Sequence, residues 1–254
     1  MRTNTVKQQL RAGQATVGSW LTLPDPVAAL QMTTVGFDWL LIDREHSSID
    51  AQTAAIMCQM IAQAGSVPLM RVPWSTNENV KKALDSGAMG IIFPMQNTRA
   101  EVEQSVEWTL YPPKGIRGYG PTLAVLGFET DARTYFENAN EEILIVVQVE
   151  QIQAVERVDE ILSVPGVDVA LIGPNDLSAS MGISPFDAHE DPRFIETVAH
   201  IRERCVAHGV APGIYAPTAA IGRQRLDEGF RWVGVGDEAG HMLNGAKAAL
   251  AQLR

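Results

Sequence analysis

The chain has 254 residues, which is enough for one large domain, and its 46% hydrophobic content can fill a sizeable core. Its formal net charge of -10 at pH 7 disfavours nucleic acids and anionic membranes as partners, because both select positive surfaces. No apolar run approaches the roughly 18 residues of a membrane-spanning helix, and the first residues lack the apolar region of a signal peptide. We therefore expect a soluble, cytoplasmic protein in which Cys58 and Cys205 are free thiols.

Eight short apolar runs alternate with helical stretches along the chain. They are Val17–Leu21, Trp39–Ile42, Val67–Val72, Gly90–Phe93, Ile143–Val149, Val167–Ile172, Val210–Ile214 and Trp232–Val235. Near-continuous runs of this kind are typical of parallel strands that are buried on both faces. Helix starts are predicted between them, at Asp50 from its capping residue type, and from the capping-box spacings Ser75…Glu78 and Thr98…Glu101.

This alternation predicts a single α/β domain over residues 1–254, a (β/α)8 TIM barrel. The main rival is a doubly wound open sheet, which usually has fewer strands and a glycine-rich turn after the first strand. The corresponding turn here, Leu21–Pro26, has no glycine, so we favour the barrel and expect no nucleotide cofactor. Two Gly/Pro-bearing segments, Tyr111–Thr130 and Ser178–Asp191, interrupt the alternation and are expected to be functional or mobile loops, the second folding over the active rim.

Two acidic side chains follow consecutive apolar runs: Glu150 in Gln148-Val-Glu150 and Asp176 in Gly173-Pro-Asn-Asp176. The carboxyl ends of barrel strands form the active site, and a charge there needs a partner or a metal ion. Two carboxylates without a Cys or His companion favour Mg²⁺ or Mn²⁺, with Co²⁺ as a further candidate, over Zn²⁺. The alternative is that both acids cap helices.

His46 follows the second strand in the sequence Asp43-Arg-Glu-His46, and it is the only one of five histidines expected at a carboxyl strand end. Its imidazole can gain or lose a proton near neutral pH, which suits a general acid or base. We expect Asp43 or Asp85 to orient the ring. Glu45 is expected to face away from the site. The alternative reading of His46 is a structural histidine.

Arg71 closes the third strand, where its guanidinium would match a carboxylate or an enolate oxygen. A salt bridge to Asp43 or Glu150 is the alternative, and the two roles are compatible. Trp20 would either wall off a small pocket or pack in the core. All five lysines fall in helices or loops, so we expect no Schiff-base lysine. A cation, a base and an arginine together indicate chemistry at a carbon next to a carbonyl.

The chain resembles the HpcH/HpaI family of metal-dependent pyruvate aldolases, and it is most similar to the 4-hydroxy-2-oxoheptanedioate aldolase branch. The matching stretches are Gly36–His46, Pro68–Val72, Tyr111–Gly118, Val147–Glu150 and Ile172–Ser178, in this order between about Gly18 and the carboxyl terminus. The resemblance implies that Glu150 and Asp176 bind the metal ion and that Gln148 contacts bound pyruvate.

The same resemblance implies roles for the remaining rim residues. Arg71 would bind enolate or substrate oxygens, His46 would be the acid or base, and Trp20 would line the pyruvate pocket. Backbone N–H groups around Gly173, Pro174 and Asn175 would hold the pyruvate carboxylate. Tyr215 stands where an aliphatic residue often lines the aldehyde side in relatives, which leaves the aldehyde partner open. A homohexamer with an exchanged carboxyl-terminal helix, Ala239–Leu250, is also implied.

We therefore expect reversible retro-aldol cleavage of 4-hydroxy-2-oxo acids, such as 4-hydroxy-2-oxoheptanedioate, to pyruvate and an aldehyde. A second hypothesis is a decarboxylase or lyase that acts on oxaloacetate, a related 2-oxo acid or an acyl-CoA through the same enolate. A third is a non-catalytic barrel that binds a 2-oxo acid. The rim residues do not separate the first two hypotheses.

Overall fold

Eight parallel strands follow one another around a closed barrel, and the last strand pairs with the first. A computed structural model describes residues Met1–Arg254. The strands are β1 (Thr16–Leu21), β2 (Trp39–Asp43), β3 (Val67–Arg71), β4 (Gly90–Phe93), β5 (Leu144–Val149), β6 (Val169–Ile172), β7 (Ala211–Ala216) and β8 (Trp232–Asp237). The predicted (β/α)8 barrel is confirmed, with a strand at each predicted run.

Helices connect the strands and cover the outside of the barrel. They are α1 (Thr5–Arg11), α2 (Pro26–Thr33), α3 (Ala51–Gln63), α4 (Asn77–Asp85), α5 (Arg99–Thr109), α6 (Ala124–Gly127), α7 (Ala132–Glu142), α8 (Ile152–Glu156), α9 (Val158–Leu162), α10 (Pro174–Ser180), α11 (Pro192–His208), α12 (Ala219–Asp227) and α13 (Glu238–Ala251). A short 3-10 helix spans Ala188–Glu190. None of these helices combines the length and the apolar character that a membrane span requires.

Side-chain caps fix several helix starts near the predicted positions. Asp50 accepts the Thr53 N–H at 2.7 Å, and Thr98 forms a full capping box with Glu101. The helix after β3 starts one residue later than predicted, because Thr76 rather than Ser75 caps it. The Ser75 hydroxyl instead donates to the Pro94 carbonyl oxygen and ties two rim loops together.

Strands β7 and β8 extend two residues beyond their predicted ends. The hydrophobic runs stop at Ile214 and Val235, but the backbone ladder continues through the pair Tyr215 and Gly234. Apolar patterning marks the buried part of a strand and does not detect a polar or glycine-containing end. As a result, Tyr215 and Asp237 lie at the rim of the barrel on ordered strands.

The segment Tyr111–Thr130, expected to be a functional or mobile loop, is packed and contains α6. It follows α5 and lies toward the amino end of the barrel, where the Leu123 carbonyl accepts a hydrogen bond from Gln59 on α3 at 3.0 Å. Its Arg117 is 3% exposed, donates to Asp85 at 3.1 Å and stacks over the Tyr111 ring. The segment is therefore held by a buried cation with aromatic and acidic partners.

Two indole rings close the amino end of the barrel. Trp39 and Trp232, the first residues of β2 and β8, stack with ring centroids 3.8 Å apart and planes 8° apart. Gly18 on β1 provides the space, because a Cβ there would lie 2.1 Å from Trp39 Cδ2. This contact makes glycine the only residue type that fits at position 18 without moving the stacked pair.

Gly18→Ala is therefore expected to lower the free energy of unfolding by about 1–3 kcal/mol, since the added methyl overpacks the core. Urea unfolding followed by tryptophan fluorescence measures the change. Gly127→Ala is the matched control, because its Cβ would find ordinary contacts at 3.6 Å or more. A Gly18→Ala protein as stable as Gly127→Ala would contradict this explanation of the glycine.

Candidate active site

A pocket of about 190 Å³ lies at the carboxyl ends of the strands. The predicted residues that line it are Trp20, Asp43, His46, Arg71, Gln148, Gly173, Pro174, Asn175, Asp176 and Tyr215. Glu150 lies directly behind the lining residues, in contact with Gln148. Asp85 is elsewhere.

Glu150 is a buried carboxylate held by two hydrogen bonds. Its Oε1 accepts the backbone N–H of Met95 at 2.8 Å, and its Oε2 accepts a hydrogen bond from the Gln148 amide. Met95 has a left-handed backbone with φ of 54°, so a strained turn after β4 supplies this donor. Burial, together with the nearby Glu45 and Asp176 carboxylates, raises the pKa of Glu150 to about 7.

Gly173 leaves room for this carboxylate at the end of β6. A Cβ at position 173 would lie 2.6 Å from Glu150 Oε2 and 2.9 Å from Gln148 Nε2. The glycine is therefore required by a close approach of the backbone to the side chains of β5. It also starts the short helix α10, whose first turn contains Asp176.

The structure excludes helix capping as the role of either acid. Helix α8 begins after Gln151, and α10 begins after Gly173, without a side-chain cap in either case. Glu150 precedes the first of these caps, and Asp176 lies inside the first turn of α10. Neither carboxylate is thus used as a helix cap.

Arg71 is the guanidinium of the pocket, and two carboxylates hold it in place. Its Nε and Nη2 donate to the two oxygens of Asp43 at 2.9 and 2.7 Å, and Nη1 lies 3.0 Å from Glu45 Oε2. Its Cζ also stacks 4.5 Å from the centre of a Trp20 ring. The salt bridge to Asp43 that the sequence suggested is present, whereas Glu150 is not an ion-pair partner of Arg71.

The prediction that Glu45 faces away from the site is wrong. Its side chain is only 11% exposed and points at Arg71. The Asp43 carboxylate causes this, because it accepts the backbone N–H groups of Glu45 and His46 at 3.0 and 3.3 Å and so turns the chain back after β2. Burial raises the pKa of Glu45, while the Arg71 charge opposes the shift.

His46 lies at the mouth of the pocket with a side chain that is 62% exposed. Its Nε2 is 3.8 Å from Glu45 Oε2, so Glu45 is the carboxylate that faces the ring. Asp43 contacts His46 only through the backbone N–H. Asp85 does not meet His46 within the chain, because it ends α4 toward the amino end of the barrel and pairs there with Arg117.

Strands β7, β8 and β1 complete the pocket wall. Tyr215 packs edge-on against Trp20, with ring centroids 5.9 Å apart and planes 79° apart. Thr22 and Asp237 also line the pocket, and sequence reasoning missed both. Asp237 was missed because β8 was ended at Val235, and Thr22 because a threonine in a turn carries no distinct signal. An acidic residue two positions beyond a predicted strand would have been the available clue.

Comparisons with known proteins place this site in a family. The model of the HpcH/HpaI aldolase/citrate lyase family matches residues 16–245. A 5-keto-4-deoxy-D-glucarate aldolase from Escherichia coli O157:H7 (strain EC4115 / EHEC) is 37% identical over 93% of this chain and 91% of its own length.

Two solved structures extend the likeness to the fold. An HpcH/HpaI aldolase/citrate lyase family protein from Burkholderia cenocepacia J2315 is 34% identical, with a TM-score of 0.92 over 99% of this chain and 100% of its own. The citrate synthase SbnG is 30% identical, with a TM-score of 0.86 over 97% of this chain and 96% of its own. The chain therefore belongs to the HpcH/HpaI aldolase/citrate lyase family and is a carbon–carbon lyase of that family.

Proposed function

We propose that the chain is a metal-dependent class II pyruvate aldolase that reversibly cleaves 4-hydroxy-2-oxo acids to pyruvate and an aldehyde. The observation that carries this proposal is the pair of acids Glu150 and Asp176, which follow consecutive strands. The neighbouring Arg71 forms its ion pairs with two other carboxylates, Asp43 and Glu45, so neither Glu150 nor Asp176 has an ion-pair partner in the chain. The likeness to named aldolases supports the same reading.

The two acids suit a divalent cation such as Mg²⁺, Mn²⁺ or Co²⁺. Burial and neighbouring carboxylates disfavour the charged form of Glu150, and a doubly positive ion would offset that cost. No group of three or more His, Cys, Asp or Glu side chains converges on one point, so water and substrate oxygens would complete the coordination shell, as is usual for Mg²⁺. When bound, such an ion supplies positive charge that draws electrons from the ketone of a 2-oxo acid.

The chain's own residues bind and orient the pyruvate half of the substrate. Two of the five N–H groups of the Arg71 guanidinium donate to Asp43, and Nη1 lies 3.0 Å from Glu45 Oε2 without a hydrogen bond, which leaves three N–H groups for substrate oxygens. The backbone N–H groups of Asn175 and Asp176 at the start of α10 lack intrahelical partners and would receive the substrate carboxylate. Trp20 closes this part of the pocket above Arg71 and excludes water.

Cleavage breaks the C3–C4 bond of the 4-hydroxy-2-oxo acid. The C4 hydroxyl loses its proton, the C4–O bond becomes the aldehyde carbonyl, and the bonding electrons pass to C3 to give the enolate of pyruvate. Protonation at C3 then completes turnover. Arg71 stabilises the enolate charge, and His46, at the mouth with Glu45 beside it, moves the proton. No lysine lines the pocket, so a Schiff-base route has no candidate residue.

We propose a class of substrates, the 4-hydroxy-2-oxo acids, because different observations favour two different members of this class. The sequence resemblance favours 4-hydroxy-2-oxoheptanedioate, whereas the similar curated relatives are named for 5-keto-4-deoxy-D-glucarate. The latter is also a 4-hydroxy-2-oxo acid when it is numbered from the ketone end. Assaying both compounds with purified protein and Mg²⁺ or Mn²⁺, with pyruvate as the detected product, tests the proposal. Release of pyruvate from neither compound would count against it.

The likeness to a citrate synthase supports a second candidate reaction in the same pocket. The same arrangement can stabilise an enolate formed from oxaloacetate or an acyl-CoA. Incubating one preparation with oxaloacetate alone, and with pyruvate plus an aldehyde, separates the candidates. An aldolase gives aldehyde-dependent condensation that is faster than decarboxylation, and the reverse order would favour the second candidate.

His46→Ala is expected to lower kcat for cleavage by about 10²–10⁴-fold while KM changes little, because an exposed imidazole at the pocket mouth transfers a proton and binds little of the pyruvate half. Steady-state kinetics over a range of substrate concentrations measures both constants. His200→Ala, on the exposed side of α11, is the control. Equal losses in kcat and in substrate affinity would argue against an acid or base role for His46.

We also propose that the enzyme is a homo-oligomer, a hexamer by the family resemblance. Residues of α13 from His241 onward are exposed, and Met242, Leu243 and Leu250 are 59%, 53% and 47% exposed. An amphipathic helix that projects from a barrel in this way is available for a neighbouring subunit. Analytical ultracentrifugation determines the assembly, and a monomer at micromolar concentration would contradict it.

A further inference from the structure

One wall of the pocket has no role in handling the pyruvate half. It consists of Tyr215 on β7, Asp237 at the end of β8 and Thr22 just after β1, which we call the β7–β8–β1 wall. These three strands are neighbours in the barrel. The residues assigned to the metal ion, the ketone and the carboxylate lie on β3, β5 and β6. The aldehyde half of the substrate must therefore lie against the β7–β8–β1 wall or leave through the mouth.

The β7–β8–β1 wall offers hydrogen-bonding atoms that the protein does not use. The Tyr215 hydroxyl forms no hydrogen bond within the chain, although its ring packs edge-on against Trp20. The Asp237 Oδ1 atom accepts a hydrogen bond from the Gly240 N–H at 2.8 Å, whereas the Oδ2 atom has no hydrogen-bond donor in the chain. The Thr22 hydroxyl donates to Glu238 at 3.2 Å and can still accept a hydrogen bond. The wall thus presents one free donor and two free acceptors.

The protonation state of Tyr215 suits donation. Burial raises the pKa of Tyr215, and the Asp237 charge raises it further, so the hydroxyl keeps its proton at neutral pH. Asp237 can then accept a hydrogen bond from a second group. This combination matches a hydroxyl group, which both accepts and donates.

Other ligand groups match the wall less well. An alkyl chain would cover the Tyr215 and Asp237 oxygens without replacing their hydrogen bonds to water, which is costly. A carboxylate in direct contact with Asp237 would face its negative charge, and Arg71, the only Lys or Arg side chain among the lining residues, is assigned to the pyruvate half. A neutral hydroxyl is the group that satisfies both free oxygens.

We propose that the β7–β8–β1 wall selects aldehydes with a hydroxyl group on the carbon next to the carbonyl, with Tyr215 as donor and Asp237 as acceptor. The inference rests on the proposed aldolase function and narrows its substrates to 4,5-dihydroxy-2-oxo acids. It separates the two compounds considered above, because only 5-keto-4-deoxy-D-glucarate yields a hydroxylated aldehyde.

The test uses the metal-loaded enzyme in the direction of condensation. Pyruvate is combined with glycolaldehyde or with acetaldehyde, which differ only in the hydroxyl group, and the ratio of the two kcat/KM values is determined. Tyr215→Phe removes the donor and keeps the ring, so we expect the ratio of glycolaldehyde to acetaldehyde to fall about three- to tenfold. Comparing this ratio between enzymes cancels the different intrinsic reactivities of the two aldehydes.

Tyr119→Phe is the matched control, because Tyr119 is 60% exposed in the segment at the amino end of the barrel and should leave the ratio unchanged. A ratio that is the same in wild type and Tyr215→Phe overturns the inference. If that enzyme still exchanges the methyl protons of pyruvate with solvent, the proposed aldolase function stands. If neither protein exchanges these protons or condenses either aldehyde, the proposed function and this inference fall together.

Discussion

Replacing Glu150 with glutamine is expected to slow cleavage strongly and at the same time to stabilise the metal-free protein. Activity should fall by on the order of 10³-fold, because the variant loses an anionic ligand for the proposed cation. Stability should rise because the wild-type carboxylate is buried and its pKa is raised from 4.5 to about 7. A change that removes function and increases stability is the signature of a residue retained for chemistry.

The sign and size of the stability effect follow from linkage. Between pH 4.5 and 7 the unfolded chain releases the Glu150 proton while the folded chain keeps it, so the wild type loses stability as pH rises through this range. Above pH 7 the loss is complete, and the shift corresponds to about 3 kcal/mol at most. Urea unfolding in EDTA should therefore show Glu150→Gln to be more stable than wild type at pH 8, with a smaller difference at pH 5.

The local hydrogen bonds can accommodate this change. The Gln148 Oε1 atom is buried without a hydrogen-bond partner, and it could accept from a glutamine amide at position 150 after a rotation of its own amide group. Glu78→Gln is the control, because Glu78 is 74% exposed and should change the unfolding free energy by no more than about 0.5 kcal/mol. A Glu150→Gln protein that is less stable at pH 8, or that retains cleavage, would refute this description of the site.

The second large effect is expected for Arg71→Lys, which keeps the charge and removes the planar fork. The two Asp43 bonds need two N–H groups in fixed directions, and a lysine ammonium cannot reproduce them while also staying near Glu45. We expect kcat to fall about 10²–10³-fold, the usual result of losing a donor to a developing oxyanion. We also expect unfolding to become easier by about 2–4 kcal/mol, because two buried carboxylates lose their partner.

Arg99→Lys provides the matched control on the surface. Arg99 pairs with Glu103 one helical turn away, and both side chains are 47% exposed. Exposed pairs of this kind contribute little, so this variant should keep wild-type activity and stability within about 0.5 kcal/mol. If Arg71→Lys behaves like Arg99→Lys, the guanidinium fork has no special role at the site.

The sequence predicted the barrel and most of the candidate site because both depend on strand patterning. Apolar runs locate buried strands, and parallel strands bring their carboxyl ends to one rim. This reasoning was sufficient to place Asp43, Arg71, Gln148 and Asp176 around one pocket. The same reasoning predicted that Glu150 lies at this rim, and Glu150 is the first residue after β5.

The sequence did not predict in which direction side chains point in the turns after the strands. Glu45 was expected to face outward, but the Asp43 carboxylate binds two backbone N–H groups and turns Glu45 inward. Asp85 was a candidate partner of His46, and within one chain its position at the end of α4, paired with Arg117, separates it from His46. Both outcomes depend on specific hydrogen bonds and ion pairs that leave no periodic pattern in the sequence.

The central claim is that Glu150 and Asp176 together hold a divalent cation that prepares a 2-oxo acid for carbon–carbon bond cleavage. Exchange of the pyruvate methyl protons with deuterium, followed by NMR, tests it without any assumption about the aldehyde. We predict exchange with Mn²⁺ or Mg²⁺, loss of exchange in EDTA, recovery when the ion is restored, and no exchange in Glu150→Gln or Asp176→Asn. Exchange that persists at the wild-type rate in EDTA or in either variant would contradict the claim.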